Sequence, residues 1–365
     1  MTFELTADRR SRRRQWASIL RNGVSATAVA SLLGLVTADA VFAADIAKTP
    51  VKAAPVADVP FFFINDNRIT YSYAPDATEP GVTSKTAKQT AAFTHFDAWK
   101  YGTNLVNLLY TKADQSDPAA PCGNFKAPTY GCAGAVEFYG ILRSTLGFNQ
   151  IFNTNAFTAE PLRNVSFMFG GDLANQNSFF APNKRAVVAG LMFAFDLPYK
   201  GFFNVAPLYY KEWNHNAFVM PGYMPPGFTG MPDGGREFEG TWAVEMNYYM
   251  DLGFLPANLQ YFAISGRAGF YGPKGNGAYG GFTAPSARTA TEINSEPIRL
   301  TFDLSKVIWG DKYSHYLDTW VAYRYWKNKF GLDDGNPANT VCFTAGSNNG
   351  TCTEKTVYAG VTMKF

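Results

Sequence analysis

The chain has 365 residues, 16% of them aromatic and 17% charged, with 32 Lys+Arg against 29 Asp+Glu. The basic excess sits in residues 1–43, which hold six arginines and three acids (Glu4, Asp8 and Asp39), so the remainder carries 26 residues of each sign. A chain balanced in this way offers no bulk basic surface to nucleic acid. Outside the leader no run of about 18 apolar residues exists to cross a membrane as a helix.

The first segment, 1–43, reads as a secretory signal. Arg9, Arg10, Arg12, Arg13, Arg14 and Arg21 precede an apolar run from Val24 to Val36, and Val41-Phe42-Ala43 makes a small-residue cleavage site before Ala44. The apolar run is about 13 residues, short of the roughly 20 a membrane helix needs. Arg13-Arg14-Gln15-Trp16 fits a twin-arginine signal only loosely. Residues 44–60 are rich in Ala, Pro, Val and Lys and lack aromatics, which predicts an extended periplasmic tether.

From residue 61 onward, apolar and polar residues alternate in segments. They run at about 67–73, 92–100, 103–112, 134–146, 162–172, 184–196, 201–213, 237–251, 258–271, 288–303, 315–328 and 353–365. Successive strand side chains point to opposite faces, so each segment has an apolar side for lipid and a polar side for a lumen. The last is the plainest case: Val357, Ala359, Val361, Met363 and Phe365 alternate with Tyr358, Gly360, Thr362 and Lys364. A terminal Phe365 on the apolar face resembles the signal read by barrel-assembly machinery. The 20 Tyr and 31 Phe fit aromatic girdles at two membrane interfaces.

The expected fold is therefore all-β, a transmembrane antiparallel up-and-down barrel of about 12 strands over 61–365, in the outer membrane of a Gram-negative bacterium. Short Gly- or Pro-bearing connections fall on the periplasmic side, and connections longer than ten residues fall outside. The stretch 147–161 breaks the pattern, a long periplasmic connection containing Ile151, Phe152 and Phe157. A phase slip near Pro297 marks a bulge. Cys122 with Cys132 and Cys342 with Cys352 lie in predicted external loops and read as two local disulfides. Zinc is the competing reading, but neither pair has a Cys-x-x-Cys spacing or a nearby His.

A charge on the lipid face near the midplane costs about 2–4 kcal/mol, so charges assign the lumen face. On that rule the inward set is His95, Asp97 and Trp99; Glu137, Tyr139 and Arg143; Glu239, Glu245 and Tyr249; and Asp318, Trp320, Arg324 and Trp326. Phe238 falls on the lipid side with Trp242. About twelve strands leave a narrow channel rather than a wide pore. The acids and arginines in it read either as a transverse field or as ion pairs, and its rings either as stacking faces for a flat solute or as girdle.

The segment His95-Phe96-Asp97-Ala98-Trp99-Lys100-Tyr101-Gly102-Thr103-Asn104 resembles the early hairpin of the nucleoside-specific, Tsx-type channel family. That resemblance implies a monomeric twelve-stranded barrel passing nucleosides passively. Neither a cofactor nor a metal is expected. The partners expected are outer-membrane lipid, the assembly machinery and a small solute. A plugged surface barrel with structural or adhesive loops is the alternative. An outer-membrane enzyme would need a nucleophile with a positioned base. The chain has three His, and no Gly-x-Ser-x-Gly elbow accompanies them.

Overall fold

The computed structural model describes residues 61–365 apart from 121, 123–130, 179–181, 216–235, 276–288 and 338. The signal and tether read in 1–60 lie outside the described residues. Twelve long strands run in chain order: β1 (Phe62–Ala77), β2 (Thr86–Trp99), β3 (Gly102–Ala113), β4 (Val136–Gly147), β5 (Leu162–Gln176), β6 (Asn183–Leu197), β7 (Gly201–His215), β8 (Thr241–Asp251), β9 (Phe262–Tyr271), β10 (Glu292–Asp303), β11 (Leu317–Lys327) and β12 (Thr353–Lys364). Each pairs antiparallel with its neighbours in sequence, and β12 returns to β1, placing Met363 opposite Ile69. The sheet is a closed up-and-down barrel, which leaves no sheet edge to satisfy inside a bilayer.

Register fixes the faces. Ile69, Tyr71, Phe93, Leu108, Phe138, Leu142, Phe169, Trp242, Leu300, Val321, Val361 and Phe365 are exposed, and they form an apolar outer wall. The alternate positions turn inward, where buried charges are frequent: Arg143, Asp172, Glu212, Glu292, Glu296 and Glu354 are all buried. From β5 to β8 the inner wall also carries an apolar patch, in which Met168, Ala186, Val188, Ala206, Leu208 and Ala243 pack together. Residues of β10 change phase between Ser295 and Ile298, where the register with β11 shifts at Pro297. Proline cannot donate to the ladder and sits naturally at such a bulge.

The two ends differ. At the turn end, β6 reaches β7 through Tyr199 and Lys200, both left-handed (φ 55° and 58°), and Gly201 N donates to Pro198 O at 3.0 Å. Two left-handed residues match the twist of a tight hairpin. The irregular stretch 147–161 holds a one-turn helix, Phe148–Ile151, whose Phe148 packs with Phe152 and Phe157 at 5.9 and 5.2 Å. A second short helix, Leu304–Trp309, follows β10 and leaves Val307, Ile308 and Trp309 exposed. These rings and chains form an apolar collar at the level of the turns, suited to a membrane interface.

At the loop end two connections are shorter than the alternation predicts, 78–85 and 177–182. The pairs that flank them, β1 with β2 and β5 with β6, keep their ladder bonds past the apolar band: β1 spans 16 residues and β5 and β6 span 15 each. Both cysteine pairs are disulfides, with Cα atoms 6.0 and 5.4 Å apart. Cys342 and Cys352 belong to a small core with Phe238, Leu332 and Val341. Phe238, expected against lipid, is fully buried in this cap. It precedes β8, so strand alternation does not apply to it.

Candidate solute path through the barrel

The inner face is organised in layers from the loop end to the turn end. In the outermost, Lys329 is fully buried. Its Nζ lies 2.8 Å from Glu354 Oε2 and 3.3 Å from Glu79 Oε1, donates to Thr78 O, and sits 4.4 Å from the Trp326 ring centroid. Lys88 also bonds Glu79, and Arg324 Nε is 3.0 Å from Glu354 Oε1, an ion pair too poorly aligned to be a hydrogen bond. This knot ties the loop at 78–85 to the stapled loop 328–352. Burial and the adjacent Glu79 charge push the Asp117 carboxyl of the neighbouring loop up to about 7.

Below it, Lys274 reaches in from the connection after β9 and bonds Glu212 of β7 at 2.7 Å. Tyr210 donates to the same carboxylate at 2.5 Å, and Trp326 Nε1 donates to Glu292 at 2.8 Å. Lys184 lies 5.5 and 5.7 Å from the Tyr210 and Tyr271 ring centroids, with its nearest carboxylate oxygen, Asp172 Oδ2, 3.7 Å away. Lys274, Glu212, Glu292, Trp326, Lys184 and Tyr271, with Tyr139, line a chamber of about 40 Å3. That volume holds up to about three waters.

The third layer crosses the lumen. Arg143 of β4 makes two bonds to Glu245 of β8, at 2.8 and 2.6 Å, and a third to Asp172 at 2.8 Å. Tyr271 of β9 adds a bond to Glu245 at 3.0 Å. Paired bonds to one carboxylate make arginine a geometrically specific clamp. One step further toward the turns, Arg267 of β9 and Asn247 of β8 are register partners on the inner face, and both are exposed. The wall beside them holds Glu296, bound by Arg299 at 2.7 and 3.1 Å and by the Tyr358 hydroxyl. The Arg299 guanidinium stacks 3.8 Å from the Trp320 ring centroid. Trp320 can lie flat there because Gly360 faces it, and a Cβ at that position would fall 2.3 Å from the indole.

The turn-end mouth centres on His315. Its Nδ1 is 3.0 Å from Asp318 Oδ1, and its Nε2 is 3.0 Å from the Tyr249 hydroxyl and 3.5 Å from Asp251 Oδ1. Burial lowers the imidazole pKa, but hydrogen bonds to Asp251 and Asp318 and the charges of Asp318 and Asp303 outweigh it and raise it to about 9. Asp303, His315 and Asp318 lie close enough to share an ion. Asp303 is occupied otherwise: its oxygens accept from Lys306 N, Ser305 Oγ, Ser314 Oγ and His315 N, capping the helix Leu304–Trp309.

Of the residues assigned inward from sequence, Glu137, Tyr139, Arg143, Glu245, Tyr249, Asp318, Trp320, Arg324 and Trp326 lie on inner positions of β4, β8 and β11. His95, Asp97 and Trp99 do not. β2 pairs with β1 so that Phe93 faces Ile69 and Ala91 faces Tyr71, which turns His95 and Asp97 outward beside Asn67 and Asn65. There His95 Nδ1 meets Asn67 Oδ1 at 2.8 Å, Asn104 donates to Asp97 at 2.9 Å, and Ser144 donates to Asn104 at 2.7 Å. Trp99 stacks on Phe61 at 5.7 Å. The site is a few residues from the β2–β3 turn, where the cost of an outward charge falls to about 0–1 kcal/mol, so charge does not diagnose the face. Glu239 is exposed and precedes β8, outside the inner wall, its N–H donating to Lys274 O at 2.9 Å. Sequence reasoning passed over Arg267, although Ser265, Arg267 and Gly269 alternate with Ile264, Ala268 and Phe270.

Neither a family model nor a curated protein matches the chain. Solved structures of barrels do. The NanC porin is 9% identical, with 83% of this chain and 100% of that one covered at a TM-score of 0.36. The translocator domain of the autotransporter NalP from Neisseria meningitidis is 11% identical, covering 82% and 88% at 0.37. OccAB3 of Acinetobacter baumannii is 11% identical, covering 82% and 99% at 0.29. The likeness is one of barrel form.

Proposed function

We propose that this barrel is a passive outer-membrane channel for small polar solutes. The observation that supports it best is Arg267, a guanidinium in the middle of a membrane-spanning strand that points inward and is exposed. Charge at that depth is tolerated where it faces a water-filled cavity, so an exposed inward arginine marks open lumen. The layers above it are narrow. A solute passes only when Lys274 and Glu212, or Arg143 and Glu245, part or rotate aside, and small, steady conductance is the expected behaviour.

Nucleosides are the solute class we propose first, on the hairpin resemblance and on the rings of Tyr139, Tyr271 and Trp326 around the chamber. The plugged-barrel alternative draws on the buried knot at Lys329. Single-channel recording of the refolded protein in planar bilayers separates the two. Conductance lowered saturably by adenosine and thymidine, and unaffected by glucose, supports the nucleoside channel. Conductance with no nucleoside effect keeps the channel and removes the solute. A folded barrel that never conducts removes both.

A further inference from the structure

We infer that Arg267, with Asn247 and Asn204, forms an anion subsite in the mid-lumen that selects solutes carrying a carboxylate or a phosphate. This rests on the channel reading and gives its solute class a charge. The case begins with which inward cations are already matched. Arg68 and Lys364 share Asp66, at 2.6 and 2.8 Å. Lys88 and Lys329 share Glu79, Arg299 holds Glu296, Arg324 faces Glu354, and Lys274 holds Glu212. Arg143 is clamped between Asp172 and Glu245, and Lys184 keeps Asp172 within 3.7 Å. Among the described residues, Arg267 is the inward cation for which no carboxylate lies within ion-pair distance.

Its register partner on β10 is a carboxylate, Glu296, which makes the unpaired state informative. Both oxygens of Glu296 are taken by Arg299 and Tyr358, so the neighbour that would neutralise Arg267 is engaged elsewhere. The row continues on the other side: Arg267 pairs with Asn247, and Asn247 pairs with Asn204 of β7. Neighbouring strands are about 4.8 Å apart, so the three side chains span roughly 10 Å of the inner wall. Asn247 is exposed like Arg267, and Asn204 Oδ1 is buried without a hydrogen-bond partner. A forked cation, an open amide and an unused acceptor in one row fit an anionic group followed by a hydroxyl or amine. Guanidinium recognises carboxylate and phosphate by the same paired geometry, so the subsite alone does not choose between them.

The test uses the full refolded chain in planar bilayers, with reversal potential read under a KCl gradient and block read with glucuronate, glucose 6-phosphate and glucose. The expected wild type favours chloride and is blocked saturably by at least one of the two sugar anions and not by glucose. Which anion blocks names the group. Arg267→Gln is expected to weaken that block roughly tenfold and shift selectivity toward potassium, and Arg267→Lys to restore the selectivity more than the block. A conducting wild type whose block and reversal potential are unchanged by Arg267→Gln overturns the subsite while leaving the channel. Should the barrel not conduct, titration calorimetry of the detergent-folded protein with the same three sugars decides. Anion binding lost in Arg267→Gln upholds the subsite, and no binding overturns it.

Discussion

The loop end of the lumen and its middle use the same residue types to opposite effect. At the loop end Lys329, Glu79 and Glu354 are buried, Lys88 and Arg324 are half-buried beside them, and the five are mutually matched and join two loops to the rim. In the middle, Arg267 is neither buried nor matched. Charges that satisfy one another build a wall or a clasp, because removing two ions from water is offset only by close pairing and full hydrogen bonding. A charge that the protein leaves unmatched and wet remains available to something that passes. In a barrel whose inner acids and bases nearly balance, the count says little and the pairing says which residues face a solute.

The largest expected effect tests the clasp. Lys329→Met leaves Glu79 and Glu354 buried beside each other without their shared cation, which is expected to cost about 3–5 kcal/mol. The measurement is the urea midpoint in lipid vesicles together with protease cleavage within 328–352. An unchanged midpoint and an uncleaved loop would show that the knot is not what closes this end.

A smaller effect is expected at the turn-end mouth. The His315 pKa is raised to about 9 in the folded barrel, above the roughly 6.5 of a free imidazole. The ion pairs it makes therefore add stability that is full below about pH 6.5 and is lost as pH rises through about 9. Because the side chain is 25% exposed, solvent screening leaves an effect of about 1–2 kcal/mol. Unfolding measured between pH 6 and pH 10 should show this slope, and His315→Gln should flatten it. A slope that survives the substitution assigns it to another group.

The smallest expected effect lies on the outer wall. Asp97→Asn should change stability by less than about 1 kcal/mol, since the position is near the interface, and should leave conductance and ion selectivity as they are. A changed reversal potential would mean that Asp97 reaches the lumen, and would overturn the pairing of β1 with β2.

The error at His95, Asp97 and Trp99 shows where reading one strand at a time stops working. The run Ala92–Lys100 alternates cleanly in either phase, and charge was the tiebreak; in the barrel the tiebreak is Phe93 against Ile69 on the next strand. Strand alternation likewise does not reach Phe238 and Glu239, which precede the first residue of β8; Phe238 belongs to the cap. By contrast, the inner faces of β4 and β8 are legible because Arg143 and Glu245 lie deep in the apolar band, where only one phase is affordable. Arg267 shared that alternation, but its significance came from what its neighbours bind, and no single segment contains that.

By itself the sequence determined the class of fold, the strand order and the cysteine pairs, because alternation, turn chemistry and short separations are local and survive in one dimension. The tertiary structure decided which ion meets which across the lumen. Arg143 and Glu245 are 102 positions apart in the chain, and Lys329 and Glu79 are 250 apart. Contacts of that kind depend on barrel closure and register, so only the folded chain separates the charges that clasp from the one left open.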